Sequence, residues 1–162
     1  MQPDLIISKK PTGTVLIVDD DDGVRRVLTR WVGDLGHQVL VACDADAALE
    51  LMGQNAVDVA LCDVKMPGRD GIWLVDQLRR GYPRTSIVMA TGLTELDPMV
   101  TLRPGVVGYI VKPFNRDELD AVIQKGLAAC PQGPAAPPRP QGLLAAARGD
   151  IVDGVILARY PA

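Results

Sequence analysis

Residues 13–36 read GTVLIVDDDDGVRRVLTRWVGDLG, and this stretch decides the fold. The uninterrupted apolar run Val15–Val18 is typical of a strand buried on both faces. Apolar residues then recur at helical spacing through Val24–Leu35, and Gly36 ends the helix. The stretch therefore predicts a strand followed by a helix, which is the repeating unit of a parallel sheet.

The same alternation continues along the chain from residue 13 to residue 129. Five strand–helix pairs can be read, which predicts an α/β domain with helices on both faces of a parallel sheet. The fourth helix would lie between Thr91 and Lys112, where the chain contains Pro98 and Pro104. Because proline cannot continue a helix, we expect this fourth helix to be short or irregular.

The chain divides into four parts by composition. Residues 1–12 are an N-terminal extension, and residues 13–129 form the domain. Residues 130–142 hold five prolines and form a linker, and residues 143–162 are a tail whose structure the sequence does not indicate. Since twenty residues cannot bury a core, we expect the tail to add little to stability.

The composition argues against several classes of protein. A net charge of -3 and a pI near 5.1 give no positive field for direct nucleic-acid binding. Three widely spaced cysteines fit neither a disulfide framework nor a metal site, and no apolar run is long enough for a signal peptide or a membrane span. We therefore expect a soluble cytoplasmic protein with no membrane partner. His37, the single histidine, is expected in an exposed turn.

Polar residues follow four of the five predicted strands. Strand one ends in Asp19 and Asp20, strand three in Asp63, strand four in Thr91 and strand five in Lys112. Ligands of open parallel sheets bind beyond these carboxyl ends. Three carboxylates there repel one another and call for a hard divalent cation such as Mg²⁺, while the lysine suits a phosphate oxygen. The constellation predicts a phosphoryl-transfer site with a carboxylate nucleophile.

The motifs LIVDD, LCDVKMPGRDG, VMATG and YIVKPF together resemble those of response-regulator receiver domains of two-component systems, over about residues 13–129. The resemblance implies a flavodoxin-like doubly wound fold with strand order 2-1-3-4-5. It also implies that Asp63 is the phosphorylation site, that Asp20 binds Mg²⁺ directly, and that Asp19 does so through water. The remaining implied residues are the Lys65 backbone carbonyl as a metal ligand, Thr91, Lys112 and Gly92 around the phosphoryl oxygens, and a cis bond before Pro113.

The resemblance further implies a bacterial phosphorelay protein that is not an enzyme beyond its own phosphotransfer and dephosphorylation. A sensor histidine kinase or a histidine phosphotransfer protein would be the donor. Thr91 and Tyr109 would then switch the surface made by the fourth helix, the fifth strand and the last helix. Through that surface the domain would act on a downstream protein, and a phosphorylation-dependent homodimer is also considered.

Three alternatives remain open at the level of sequence. The chain could be a receiver fragment of a larger regulator or hybrid kinase, since no effector motif follows the linker. It could be a pseudo-receiver that only binds, although every member of the site is present. An aspartyl-nucleophile phosphatase is the third, but it normally has a second carboxylate two residues after the nucleophile, where this chain has Lys65.

Overall fold

The computed structural model describes residues 10–92 and 103–130, together with the backbone of residues 150–152 and 155–157. Strands and helices alternate along this chain. The elements are β1 (Thr14–Val18), α1 (Asp22–Asp34), β2 (Gln38–Ala42), α2 (Ala45–Gln54), β3 (Val59–Asp63), α3 (Gly71–Gly81), β4 (Ser86–Gly92), β5 (Val106–Lys112), α4 (Arg116–Ala129), β6 (Asp150–Val152) and β7 (Val155–Leu157). None of the described helices is long and apolar enough to cross a membrane.

The sheet has the order β5-β4-β3-β1-β2-β7-β6. Strands β1 to β5 are all parallel, so the predicted five-stranded sheet with order 2-1-3-4-5 is confirmed. β2 lies on one side of β1, whereas β3, β4 and β5 follow on the other side, so the strand order reverses at β1. The carboxyl ends of β1 and β3 lie side by side. That edge is where such folds bind ligands.

Each described helix begins with a polar side chain that caps its first turn. The capping residues, each accepting a backbone N–H of the following turn, are Asp21, Asp44, Asp70 and Asn115. Asn115 and Glu118 form the reciprocal capping box that their spacing predicts. Local sequence therefore fixes where the helices start, and the helices position the loops that carry the site.

The core consists of two apolar layers, one on each face of the sheet. Alternate strand residues such as Leu16 and Ala60 pack against α2 and α3. Their neighbours Ile17 and Leu61 pack on the opposite face against α1 and α4. Because both faces are covered, the strands read as continuous apolar runs, which is why the sequence reveals them.

The predicted fourth helix falls on residues 93–102, outside the described residues. The description resumes at Arg103, and a turn at Pro104 and Gly105 leads into β5. Gly105 has a φ of 87°, a backbone conformation that disfavours side chains. This turn agrees with the expectation that no helix continues through Pro104.

Two features differ from the expectations drawn from sequence. His37 is 6% exposed rather than an exposed turn residue, because its ring packs beneath Gly13 and accepts that residue's N–H through Nδ1. The tail supplies two strands: β7 pairs in parallel with β2, from Val39 opposite Val155 to Val41 opposite Leu157, and β6 pairs antiparallel with β7. The tail thus extends the sheet beyond the five predicted strands.

Candidate functional site

The polar residues at the carboxyl ends of the strands come together in the structure. Asp19 and Asp20 follow β1, and Asp63 is the last residue of β3, the strand next to β1. Asp19 and Asp63 are buried whereas Asp20 is exposed. Each of the three offers a carboxylate oxygen, and these oxygens lie within 4.8 Å of one another.

Lys112, at the end of β5, reaches across β4 and β3 to this cluster. Its Nζ donates to Asp19 Oδ2 at 2.8 Å and lies 3.3 Å from Asp63 Oδ2. The lysine side chain is partly exposed, so its contacts remain open to a ligand that enters from solvent. One ammonium group therefore faces two buried carboxylates.

Burial and neighbouring charges shift the pKa values of Asp63 and Lys112. Burial raises the pKa of Asp63 to about 6; Lys112 opposes this rise, the charge of Asp19 adds to it, and the Lys65 backbone N–H opposes it. Burial lowers the pKa of Lys112, but its hydrogen bond to Asp19 and the charge of Asp63 outweigh that effect and raise it. Both shifts favour the protonated form of the group.

The donor set fits a hard divalent cation. Three carboxylates at one crevice provide oxygen ligands, and Lys112 offsets only part of their charge. Mg²⁺ takes one or two carboxylates while keeping waters and phosphate oxygens as its other ligands. Asp20 is exposed, so solvent can supply such ligands on that side of the cluster.

Asp19 is fixed by contacts on all sides. Its Oδ1 accepts the N–H of Asp21 at 2.9 Å, its Oδ2 accepts Lys112, and its own N–H donates to the carbonyl of Ala42. Its carbonyl oxygen accepts Arg25 Nη1 at 2.7 Å. The sequence analysis did not identify Arg25, because its partner is a backbone oxygen that only the folded loop presents.

The backbone on the other side of Asp63 is equally constrained. Val64 N–H donates to the carbonyl of Ala90 in β4, and Gly71 N–H donates to the carbonyl of Val64. A Cβ at Gly71 would overlap the carbonyl oxygen of Asp63, so only glycine lets α3 start this close to the carboxylate. The tight loop from Asp63 to Gly71 holds the nucleophile candidate at the crevice.

Thr91 and Tyr109 lie on neighbouring strands. Thr91 pairs with Val111 and Tyr109 pairs with Met89, so the two residues share one face of the sheet. Thr91 is buried and its hydroxyl donates to the carbonyl of Gly92, while Tyr109 is half-buried against the apolar layer of α2 and α3. The Lys112–Pro113 bond is cis.

Comparison with known proteins matches residues 15–124 to the family model described as the response regulator receiver domain. This chain belongs to that family. The receiver domain is 37% identical over 114 residues to the regulatory protein AtoC of Escherichia coli strain K12, a match that covers 70% of this chain and 25% of AtoC. It therefore spans about a quarter of that relative's length.

Two further comparisons extend this result. A protein-glutamate methylesterase/protein-glutamine glutaminase of Caulobacter vibrioides is 36% identical over 141 residues, covering 78% of this chain and 41% of that protein. The crystal structure of the Vibrio cholerae chemotaxis protein CheY4 superimposes with a TM-score of 0.67 at 33% identity, covering 72% of this chain and all of CheY4. Receiver domains of this family interact with histidine kinases and bind Mg²⁺ at an aspartate cluster.

Proposed function

We propose that Asp63 accepts a phosphoryl group from the phosphohistidine of a sensor histidine kinase or of a histidine phosphotransfer protein, in the cytoplasm and with Mg²⁺ bound. The supporting observation is the Asp63 carboxylate, which lies 3.3 Å from Lys112 Nζ and within the three-carboxylate cluster. The chain would catalyse only its own phosphotransfer and dephosphorylation. It would not bind nucleic acid directly.

In this reaction a carboxylate oxygen of Asp63 attacks phosphorus in line with the donor histidine. The P–N bond breaks with its electron pair going to the imidazole nitrogen, and a P–O bond forms to give an aspartyl phosphate. Lys112 holds one phosphoryl oxygen, and the Thr91 hydroxyl and the Gly92 N–H hold others. Mg²⁺, held by Asp20, Asp63 and the Lys65 carbonyl with Asp19 behind water, would neutralise the charge that the phosphoryl oxygens carry.

Acetyl phosphate provides a direct test, because it supplies the phosphoryl group without a kinase. Intact-mass measurement should show a gain of one phosphoryl group in the wild type with Mg²⁺ and none after the metal is chelated. Asp63→Asn should abolish the gain. The matched control is Asp46→Asn, which removes an exposed carboxylate that pairs with Arg69 outside the cluster. A gain that survives Asp63→Asn would refute the assignment.

We also propose that Thr91 and Tyr109 transmit phosphorylation to one surface of the domain. That surface is built by the helix predicted between Thr91 and Lys112, by β5 and by α4. The Thr91 hydroxyl now donates to the Gly92 carbonyl at 3.1 Å. A phosphoryl group on Asp63 offers a charged acceptor, which is the stronger partner, so the hydroxyl should turn toward it. The half-buried Tyr109 ring on the same face of the sheet can then move inward.

This switch is tested with beryllofluoride, which mimics the phosphoryl group. In the wild type the NMR signals of the Tyr109 ring should shift on its addition, and in Thr91→Ala the shift should be lost. The Tyr82 ring, at the end of α3, serves as the internal control. An equal response of Tyr109 in both proteins would exclude Thr91 as the connection.

The output of the switch would be a contact with a downstream protein or a phosphorylation-dependent homodimer. The relatives give the proposal its context, since AtoC is named a regulatory protein and the Caulobacter relative a methylesterase, both longer than the matched segment. A receiver joined to an output domain is therefore the second arrangement considered. Size-exclusion chromatography with and without beryllofluoride distinguishes a homodimer from a monomer that acts on another protein.

A further inference from the structure

Arg25 occupies an unusual place for a partly buried cation. It is the fourth residue of α1, close to the helix N-terminus, where the partial positive charge of the backbone disfavours a cation. Its side chain is 17% exposed, whereas that of the next residue, Arg26, is 80% exposed. A contact must offset the cost of holding Arg25 there.

The guanidinium of Arg25 is held in place by two contacts. Nη1 donates to the carbonyl oxygen of Asp19 at 2.7 Å, and Nη2 donates to Asp22 Oδ1 at 3.0 Å. Arg26 also pairs with Asp22, at 2.7 Å, but it does not contact Asp19. Because the guanidinium is planar and rigid, two contacts fix its orientation.

The carbonyl that Arg25 binds belongs to the peptide that joins Asp19 to Asp20. A peptide is planar, so fixing its oxygen also fixes the directions of the two flanking Cα atoms. The Asp19 carboxylate is secured by Lys112 and the Asp21 N–H as well, but Asp20 is exposed and depends more on its backbone for its direction. The Arg25 contact therefore acts where it can orient both carboxylates toward Asp63.

We propose that Arg25 is a positioning residue for the metal site: it holds the Asp19–Asp20 peptide so that both carboxylates face a common cation. This inference rests on the proposed function, in which those carboxylates bind Mg²⁺. The side chain touches neither the metal nor the phosphoryl group. Its effect on Mg²⁺ binding is geometric and favourable, because it orients the two carboxylates. The positive charge of Arg25 by itself would weaken Mg²⁺ binding.

These two effects have opposite signs, so they can be separated by Arg25→Met and Arg26→Met. Each variant removes one positive charge and one ion pair with Asp22. Loss of charge alone should tighten Mg²⁺ binding in both. Loss of the Asp19 contact should instead weaken Mg²⁺ binding in Arg25→Met. We expect the affinity to fall roughly tenfold, as it does when other residues that hold metal ligands in place are replaced. Isothermal titration calorimetry with MgCl₂ and no phosphodonor measures this.

A second measurement reports the peptide itself. In metal-free protein, the NMR shifts of the Asp19 carbonyl carbon and the Asp20 amide should change in Arg25→Met and remain near wild type in Arg26→Met. Arg25→Lys keeps the charge and one donor, and it should recover part of the Mg²⁺ affinity. If circular dichroism shows that Arg25→Met does not fold, the Mg²⁺ affinities of Arg25→Lys and Arg26→Lys are compared instead. Weaker binding in Arg25→Lys than in Arg26→Lys would support the positioning role, and equal binding would overturn it.

The outcomes separate this inference from the proposed function. A wild type that binds Mg²⁺ and gains the phosphoryl group, with Arg25→Met binding Mg²⁺ as tightly as Arg26→Met, would overturn the role of Arg25 alone. A wild type that does not bind Mg²⁺ would overturn both. Weaker binding in Arg25→Met together with unchanged or tighter binding in Arg26→Met supports the positioning role.

Discussion

His37 is a buried imidazole whose hydrogen bonding depends on its being neutral. Its Nδ1 accepts the N–H of Gly13, so the proton lies on Nε2, which is buried without a hydrogen-bond partner among the described residues. Burial lowers the pKa of His37, and the charge of Asp120 only partly opposes this. The folded protein therefore favours the neutral ring.

This shift predicts a loss of stability in mild acid. The unfolded chain has a histidine pKa of about 6.5 and the folded chain a lower one, so between the two the unfolded state binds more protons. The contribution of His37 is complete above about pH 6.5 and is lost as the pH falls through the folded pKa. Urea titrations at about pH 8 and about pH 5 should show a larger loss for wild type than for His37→Asn.

The comparison with His37→Asn removes the contribution of other titrating groups. Asp63, whose pKa is about 6, titrates in the same range but does so in both proteins. Asn can offer an oxygen to Gly13 and carries no charge. If the free energy of unfolding falls equally in the two proteins, the pKa of His37 is not lowered in solution.

Gly71 is a position where one methyl group should matter. A Cβ there would overlap the Asp63 carbonyl, so Gly71→Ala must displace either α3 or the loop that holds the carboxylate. We expect a loss of about 1–3 kcal/mol in the free energy of unfolding and slower phosphorylation by acetyl phosphate. Denaturant titration and a time course of intact mass measure the two effects.

Gly81, at the other end of α3, is the matched control. Apart from its chain neighbours and its own helix backbone, no atom of the described residues lies within 4 Å of a Cβ built there, and the residue is helical. Gly81→Ala should therefore be neutral or stabilising by about 0.4–1 kcal/mol, with normal phosphorylation. Equal behaviour of the two variants would show that the space around Gly71 is not limiting.

At the start of α4, both hydrogen bonds of a capping box are present. The Asn115 side chain accepts the Glu118 N–H at 2.9 Å, and the Glu118 carboxylate accepts the Asn115 N–H at 2.8 Å. Asn115→Ala should lower the free energy of unfolding by about 1 kcal/mol without preventing phosphorylation, because the cap does not touch Asp63. Lys125→Ala, at an exposed position of the same helix, should change stability by less than about 0.5 kcal/mol.

Elements of this kind are predictable from sequence because their signals are local. The spacing of Asn115 and Glu118 predicts the capping box, and the apolar runs predict the strands whose ends carry Asp63 and Lys112. Burial of His37 could not be predicted in this way, because it depends on the approach of Gly13 from another segment. The same holds for Arg25, whose partner is a backbone oxygen that only the folded loop presents.

At the scale of the molecule, the tail alters one edge of the sheet. β2 reads QVLVA, with neither a charge nor a proline, and an edge strand of this kind invites pairing with other chains. β7 pairs with that edge, and the outermost strand becomes β6, which spans only three residues and begins with Asp150. Short, charged edges are how proteins limit such pairing.

Deletion of residues 131–162 should therefore expose the outer edge of β2. We expect faster amide hydrogen exchange in peptides covering β2, a lower melting temperature, and no change in β4, which lies three strands away from β2. Ile156→Pro, which removes one backbone N–H from β7, should reproduce part of the effect. Unchanged exchange and melting would restore the simpler expectation from sequence, that the tail adds little.

Lys112 lies closer to one of its two carboxylate partners than to the other, and this has a consequence for the proposed phosphorylation. Its ammonium lies 2.8 Å from Asp19 but 3.3 Å from Asp63, so in the unphosphorylated protein it serves mainly Asp19. A dianionic phosphoryl group would draw it toward Asp63 and leave Asp19 short of a counter-ion, which raises the affinity of that carboxylate for a metal. By thermodynamic reciprocity, a bound metal must then favour the phosphorylated protein by the same factor. In the proposed function Lys112 would thus make the two occupancies cooperative, and the phosphorylated fraction at equilibrium should rise with the concentration of free magnesium.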